Sequence, residues 1–204
     1  MVFGTSNMKI DFSLLKSVFM YPYRCYKRRY YKKNMKKFGM SSWIEKPLRL
    51  QGLQNISIGE NVGVHHRSWL AALPLTGKEV SLIINDGCTI GDYNHIFATH
   101  RIEIEKDVLT ANHVYISDNL HDYNNLNVPI IKQPIVQKSI VVIGEGSWIG
   151  ENVCIIGACI GKHCVIGANS VVTKDIPDYS IAVGIPARVI KRYDFKENKW
   201  VKCK

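Results

Sequence analysis

The sequence predicts an all-β solenoid, a parallel β-helix of short strands that turns through three sides per coil, and three observations predict it. Aliphatic residues recur every six positions: Ile84, Ile90, Ile96 and Ile102, then Ile104, Thr110 and Ile116, then Ile143, Ile149 and Ile155. After a slip of one residue the series continues at Ile160, Ile166 and Val172, and Ile58 and Val64 suggest an earlier coil. Gly or a small or acidic residue often follows, as in Ile58-Gly59, Ile90-Gly91, Ile104-Glu105, Ile143-Gly144 and Ile149-Gly150. Four residues past the aliphatic position a small or β-branched residue is common: Val62, Cys88, Val108, Val114, Ser147, Val153, Cys159, Cys164 and Ser170.

A period of six matches neither the 3.6 of a helix nor sustained alternation, so amphipathic helices and hairpin strands both fail to explain it. Short strands joined by tight corners do. Each hexapeptide supplies one strand with its aliphatic residue pointing inward, and the next residue turns a corner where Gly tolerates unusual φ/ψ. Stacking the coils buries a continuous column of Ile and Val. Cys88, Cys159 and Cys164 are expected at the small inward position, where a thiol behaves as a compact hydrophobe.

The elements in chain order are a basic, short helical N-terminal extension over 1–49, the repeats over 50–192 with a protruding loop over 117–142, and a tail over 193–204. The chain has 204 residues, 46% hydrophobic and 22% charged, which suits one globular unit with a sizeable core and excludes wholesale disorder, collagen and coiled coil. Its 27 Lys+Arg against 17 Asp+Glu give a net charge of +10. Residues 1–50 hold 12 of those cations against Asp11 and Glu45, and residues 51–204 hold 15 of each sign, so the excess is entirely N-terminal.

The six cysteines contain no C-x-x-C pair, and they are expected to be free thiols in a reducing compartment. The stretch Phe12 to Met20 is too short to span a bilayer, and acidic Asp11 with no small-residue cleavage site argues against a secretory signal. A cytoplasmic protein is expected. The run Tyr21 to Lys37 interleaves aromatics with eight basic residues. With Phe12 to Met20 it reads as an amphipathic interfacial segment followed by a basic anchor, so residues 12–37 are expected to contact an anionic membrane at its inner face. A solvated helix packing in an oligomer and an RNA-binding segment are the other readings of that composition.

The interruption between Ile116 and Ile143 can sit only outside the column, so residues 117–142 should project from it. Asp118, His121 and Asp122 form a polar cluster at its start.

The segments Val142-Ile-Gly-Glu-Gly-Ser-Trp-Ile-Gly-Glu-Asn-Val153, Val165-Ile-Gly-Ala-Asn-Ser-Val-Val-Thr-Lys-Asp-Ile-Pro-Asp-Tyr-Ser180 and Val183-Gly-Ile-Pro-Ala-Arg-Val-Ile190 resemble the hexapeptide-repeat acyltransferases. Within them the chain is most similar to sugar O-acetyltransferases of the galactoside/maltose type and of surface-polysaccharide synthesis. The resemblance spans about residues 50–192. It implies a left-handed coil, a homotrimer with active sites between subunits, acetyl-CoA as donor and a sugar or glycan hydroxyl as acceptor, with no metal and no nucleic acid. It puts the general base on His121. The chemistry agrees, because an imidazole near neutral pKa can accept the hydroxyl proton as attack proceeds. Asp118 is expected to orient that ring. The resemblance also implies donor contacts at Trp148, Ala168, Thr173, Lys174, Arg188 and Lys191, with Asn94 and His95 able to reach the acceptor.

Three other readings compete. Sugar N-acetylation would use the same His on an amine. A zinc carbonic anhydrase of the same solenoid would draw ligands from His65, His66, His95, His100, His113 and His121, but His95 and His100 are five apart in a period of six. A nucleic-acid-binding or scaffold protein would use the coil only as a platform.

Overall fold

This computed structural model describes residues 25–203, so the expected interfacial stretch from Phe12 to Met20 lies outside the described residues. Residues 25–34 are helical, and the elements that follow are short strands joined by turns, with two three-residue 3-10 segments.

The strands form three parallel sheets that the chain visits in rotation. The first face is Lys37–Phe38, Ile56–Ile58, Ser81–Ile84, Arg101–Ile104 and Val141–Ile143, extended by single bridges through Ile160 and Ile176. The second runs from Trp43–Ile44 through Gly63–Val64, Thr89–Ile90, Leu109–Thr110, Trp148–Ile149 and Val165–Ile166 to Ser180–Val183. The third is Arg49–Gln51, Trp69–Ala72, His95–Ala98, Tyr115–Ser117, Cys154–Ile156 and Val171–Val172.

Stacking puts like residues in register. Ile58 pairs with Ile84, Ile84 with Ile104, and Ile104 with Ile143; on the third face Leu70, Ile96, Ile116 and Ile155 follow one another. These side chains are 0% exposed, and each contributes about 1.5–3 kcal/mol by leaving water. Ile102 and Ile104, which opened two registers in the sequence, belong to one strand and both point inward, because alternate residues of a strand share a face.

Three expectations are corrected. First, the glycines after the aliphatic positions do not supply left-handed backbone. That conformation falls two residues later, on Asn61, Tyr93, Asp107, Asn152, His163 and Asn169, with φ between 50° and 59°. Gly150 is needed for close approach instead, since a Cβ there would lie 2.7 Å from the Ala168 backbone nitrogen of the next coil. Second, Cys88 and Cys164 are buried as expected, but Cys159 is only half-buried. The one-residue slip places Gly157 at φ 53° and gives the inward position to Ala158, which is 0% exposed. Third, strand pairing begins at Lys37↔Ser57, ahead of the expected boundary at residue 50. Phe38, Ile44 and Leu50 form the first coil, again six apart, with an aromatic residue standing where Ile would signal the repeat. At the other end Arg188–Asp194 and Lys199–Lys202 add two antiparallel strands to the second face, so the expected break at 192/193 falls inside a strand.

The helix closes the N-terminal end of the column. Tyr31 in the helix and Met35 just past its end are both buried, with the Tyr31 and Phe38 rings 5.1 Å apart.

Candidate active site

The chain leaves the third face after Ser117 and rejoins the first at Val141, so the loop springs from the corner between those faces. Its base is a ribbon in which Asn119–His121 pairs antiparallel with Ile135–Gln137, His121 opposite Ile135. Its outer part is braced by Gln133, whose Nε2 donates to the carbonyls of Asn125 (2.9 Å) and Val128 (2.7 Å). The sequence-predicted projection is therefore an ordered arm with a framework of its own.

Asp118, 0% exposed, anchors it. Oδ1 accepts from the Thr99 backbone N–H (2.8 Å), the Thr99 hydroxyl (3.0 Å) and Asn119 Nδ2 (2.9 Å). Oδ2 accepts from the backbone N–H groups of His100 (2.8 Å) and Arg101 (2.9 Å). Five donors occupy this carboxylate, and the His121 ring is not one of them. The expected Asp118–His121 contact is thus replaced by a bond network that ties the arm to the preceding coil. His121 itself is exposed, and its ring has no hydrogen-bond partner among the described residues.

Asn94 does not face a cleft. At 1% exposure its Nδ2 donates to Thr110 Oγ1 (2.6 Å) and the Ala111 carbonyl (3.1 Å), and its Oδ1 accepts from the Val114 N–H (2.6 Å). The acceptor contact expected of Asn94 gives way to a corner brace, as the turn preference of Asn allows. His95 lies on the outer surface of the third face, stacked on Trp69 at 4.1 Å and 9°, with Tyr115 edge-on at 5.2 Å. Its Nε2 is covered and unpartnered, and burial pushes its pKa below 6.5, so the ring is neutral near pH 7. Of the other histidines, His66 Nε2 sits 3.1 Å from Glu45 Oε1, His113 stacks on Tyr93, and His100 Nδ1 lies 2.9 Å from the Glu79 carbonyl oxygen. Among the described residues no group of three His, Cys, Asp or Glu is placed to hold a metal ion.

Residues 140–174 match the family of the bacterial transferase hexapeptide (six repeats). The chain is 34% identical over 169 residues to WbbJ of Escherichia coli (strain K12), assigned as a lipopolysaccharide-biosynthesis O-acetyl transferase, covering 78% of this chain and 83% of that protein. The chain belongs to the hexapeptide-repeat acetyltransferases. It is also 34% identical over 170 residues to the galactoside O-acetyltransferase of the same strain, covering 79% of this chain and 69% of that one. Among solved structures, an N-acyltransferase from Bacillus cereus, in complex with dTDP and 3-hydroxybutyryl-CoA, shares the fold with a TM-score of 0.69 at 21% identity, covering 84% of this chain and 90% of its own. The protein is an acyltransferase.

The residues that the resemblance assigns to the donor occupy two different regions of this acetyltransferase. Trp148, 51% exposed, points outward from the second face, in a row that continues through Val165 and Ile181 to Lys191. Arg188 is exposed opposite Val183, and its Nη1 donates to the Ala187 carbonyl (3.1 Å). Ala168 is exposed at a corner after that face. Thr173 and Lys174 follow Val172 at the corner between third and first faces, the same edge that carries the His121 arm. In a three-sided coil that edge lies opposite the second face. One chain therefore holds His121 and Trp148 on opposite sides.

A second interruption, residues 73–80, was missed in the sequence. It packs beside the arm's anchor, with the Thr76 hydroxyl donating to the Thr99 carbonyl (3.1 Å) and Glu79 meeting His100. The signal was there, since the third-face Leu70 and the first-face Ile84 are too far apart for one hexapeptide step.

Proposed function

We propose that this acyltransferase moves an acetyl group from acetyl-CoA directly to a hydroxyl of a sugar or polysaccharide precursor, with His121 as general base. The observation that carries this reading is the anchored ribbon, which presents an exposed imidazole with no competing partner among the described residues. His121 takes the hydroxyl proton as the new C–O bond forms at the thioester carbonyl. As the C–S bond breaks, the ring returns that proton to the departing sulfur. No covalent enzyme intermediate is needed when both substrates are held together, because proximity supplies much of the rate. Asp118 acts through the arm, fixing where His121 stands.

Trp148, Ala168, Thr173, Lys174, Arg188 and Lys191 would hold the donor, the cations meeting its phosphates. His121 and Trp148 lie on opposite sides of the column, which supports a homotrimer in which the arm of one subunit faces the second face of its neighbour; the family resemblance supports a left-handed coil. The aromatic row around His95 offers a surface on which the acceptor's sugar ring can lie. The enzyme works in the cytoplasm, where its free thiols and its donor belong together.

The test is release of free CoA thiol from acetyl-CoA against hydroxyl and amino sugars, free, nucleotide-linked and lipid-linked, with His121→Ala beside the wild type. Turnover at wild-type rate by the variant on the true acceptor would remove His121 from the mechanism. A preference for amino sugars would replace O- by N-acetylation.

A further inference from the structure

The N-terminal end of the molecule carries a surface that acetyl transfer does not use. Residues 25–49 hold nine Lys and Arg against Glu45 alone, while residues 51–204 balance. The helix over 25–34 spends Tyr31 on closing the column, together with Met35 just past its end. Its opposite face is a stripe of Tyr26, Arg29, Tyr30 and Lys33, at the i, i+3, i+4, i+7 spacing of neighbours on a helix surface, with Tyr26 71% and Tyr30 46% exposed. The terminal coil beside it exposes Met40 (64%), Trp43 (42%) and Leu48 (59%). Between helix and coil lies a recess of about 380 Å³ bordered by Lys27, Arg28, Phe38, Trp43 and Lys46, with Glu45 the one carboxylate among the described residues of its lining.

We propose that this end cap docks on a phospholipid bilayer bearing anionic headgroups. The argument is charge complementarity joined to side-chain type. A cationic surface is attracted to an anionic leaflet, each basic residue near it strengthening binding about fivefold. Tyr and Trp rings seat at the headgroup level, and Lys and Arg stems lie along apolar surface with their charges in water. The recess, with Arg28 and Lys46 at its rim and aromatic walls, accepts a lipid phosphate with its glycerol. Tyrosines among cations also suit RNA, but the exposed Met40 and Leu48 match the apolar side of a bilayer interface and serve no purpose on a phosphate-sugar chain. No helix among the described residues is long and apolar enough to cross a membrane, so the contact is peripheral. The active-site arm leaves the solenoid several coils away, so a docked cap leaves the catalytic edge open.

The experiment is cosedimentation of the full chain with phosphatidylcholine vesicles, with and without phosphatidylglycerol, at low and high salt. Binding is expected to the anionic vesicles only, at least tenfold weaker at high salt. Reversing Arg28, Arg29, Lys32 and Lys33 together to Glu is expected to weaken it at least 100-fold, with thiol-release activity on a soluble acceptor and the circular dichroism spectrum unchanged. Tyr26→Ser with Tyr30→Ser, which leaves charge untouched, is expected to weaken it several-fold. Absence of binding to anionic vesicles at low salt, a quadruple variant that binds like the wild type, or single-stranded RNA bound in preference to the vesicles would each overturn the proposal. Catalysis by unbound enzyme is measured separately, so either reading can fail alone.

Discussion

The coils and the arm use the same polar groups to different ends. At ordinary corners a single acceptor reaches one or two backbone amides of the neighbouring coil: Asp86 takes the Glu60 N–H, Asp92 the His66 N–H, and Asp178 the Lys162 N–H. At the root of the arm one buried carboxylate, Asp118, takes five donors. The inward aliphatic residues of the column, such as Ile56, Ile96, Ile116 and Ile155, are buried, whereas the arm leaves Leu126 96% and Ile131 88% exposed, and the His121 ring without a hydrogen-bond partner among the described residues. Regular stacking satisfies itself within one chain. The arm is held rigidly at its base and left open at its surface, as a segment that meets another molecule must be.

The sharpest way to break this contrast is at the arm. His121→Ala should lower kcat by about 10²–10⁴-fold, while thermal unfolding stays within about 0.5 kcal/mol of the wild type because the side chain is exposed. A parallel fall in stability would mean the arm is part of the fold. Coexpressing His121→Ala with Trp148→Ala should restore up to about a quarter of the wild-type activity, since in randomly mixed oligomers about one site in four pairs an intact arm with an intact second face. Activity that remains lost in the mixture would place both residues in one subunit's site.

In the column the converse holds. Ile116→Ala should cost about 2–5 kcal/mol in urea unfolding, with catalysis by the folded fraction nearly normal. Asp118→Asn joins the two regions. It keeps the shape, removes one acceptor and turns an amide N–H₂ toward backbone donors, so a loss of roughly 1–3 kcal/mol is expected, together with reduced kcat.

The smallest effect concerns the column's thiols. Burial pushes the Cys88 thiol up from 9.0 to about 11. The unfolded chain releases that proton from about pH 9 and the folded chain holds it, so this contribution to stability is complete below pH 9 and lost as pH rises through 11. It amounts to roughly 3 kcal/mol at most. Cys88→Ala should flatten that alkaline slope in unfolding measured across pH 8–11.

Much of the column could be read from the chain because a hexapeptide carries its own instruction: Ile96 and Ile116 are inward whatever lies above them. Phe38, Ile44 and Leu50 obey the same rule, but a Phe and a Leu at two of the three positions hide the period there. Cys159 was misplaced because the slip at Gly157 has two ways of being absorbed, and only packing chooses Ala158 for the interior. The arm's position and the polar cluster at its start were visible, but not the partners of Asp118 at residues 99–101, which lie 17 to 19 residues earlier on an adjacent coil.

The sequence alone determined the strand period, the inward residues, the place where the repeat breaks and the confinement of the excess charge to the first 50 residues. These are local properties, set by alternation along a strand and by which side chains leave water. The tertiary structure decided which residues meet between coils: Asp118 with the amides of residues 99–101, His95 with Trp69, Thr173 on the arm's edge and Trp148 on the side opposite His121. Those pairings depend on how many residues each coil takes to come round. The inserts at 73–80 and 117–142 change that number, and only stacking settles the register.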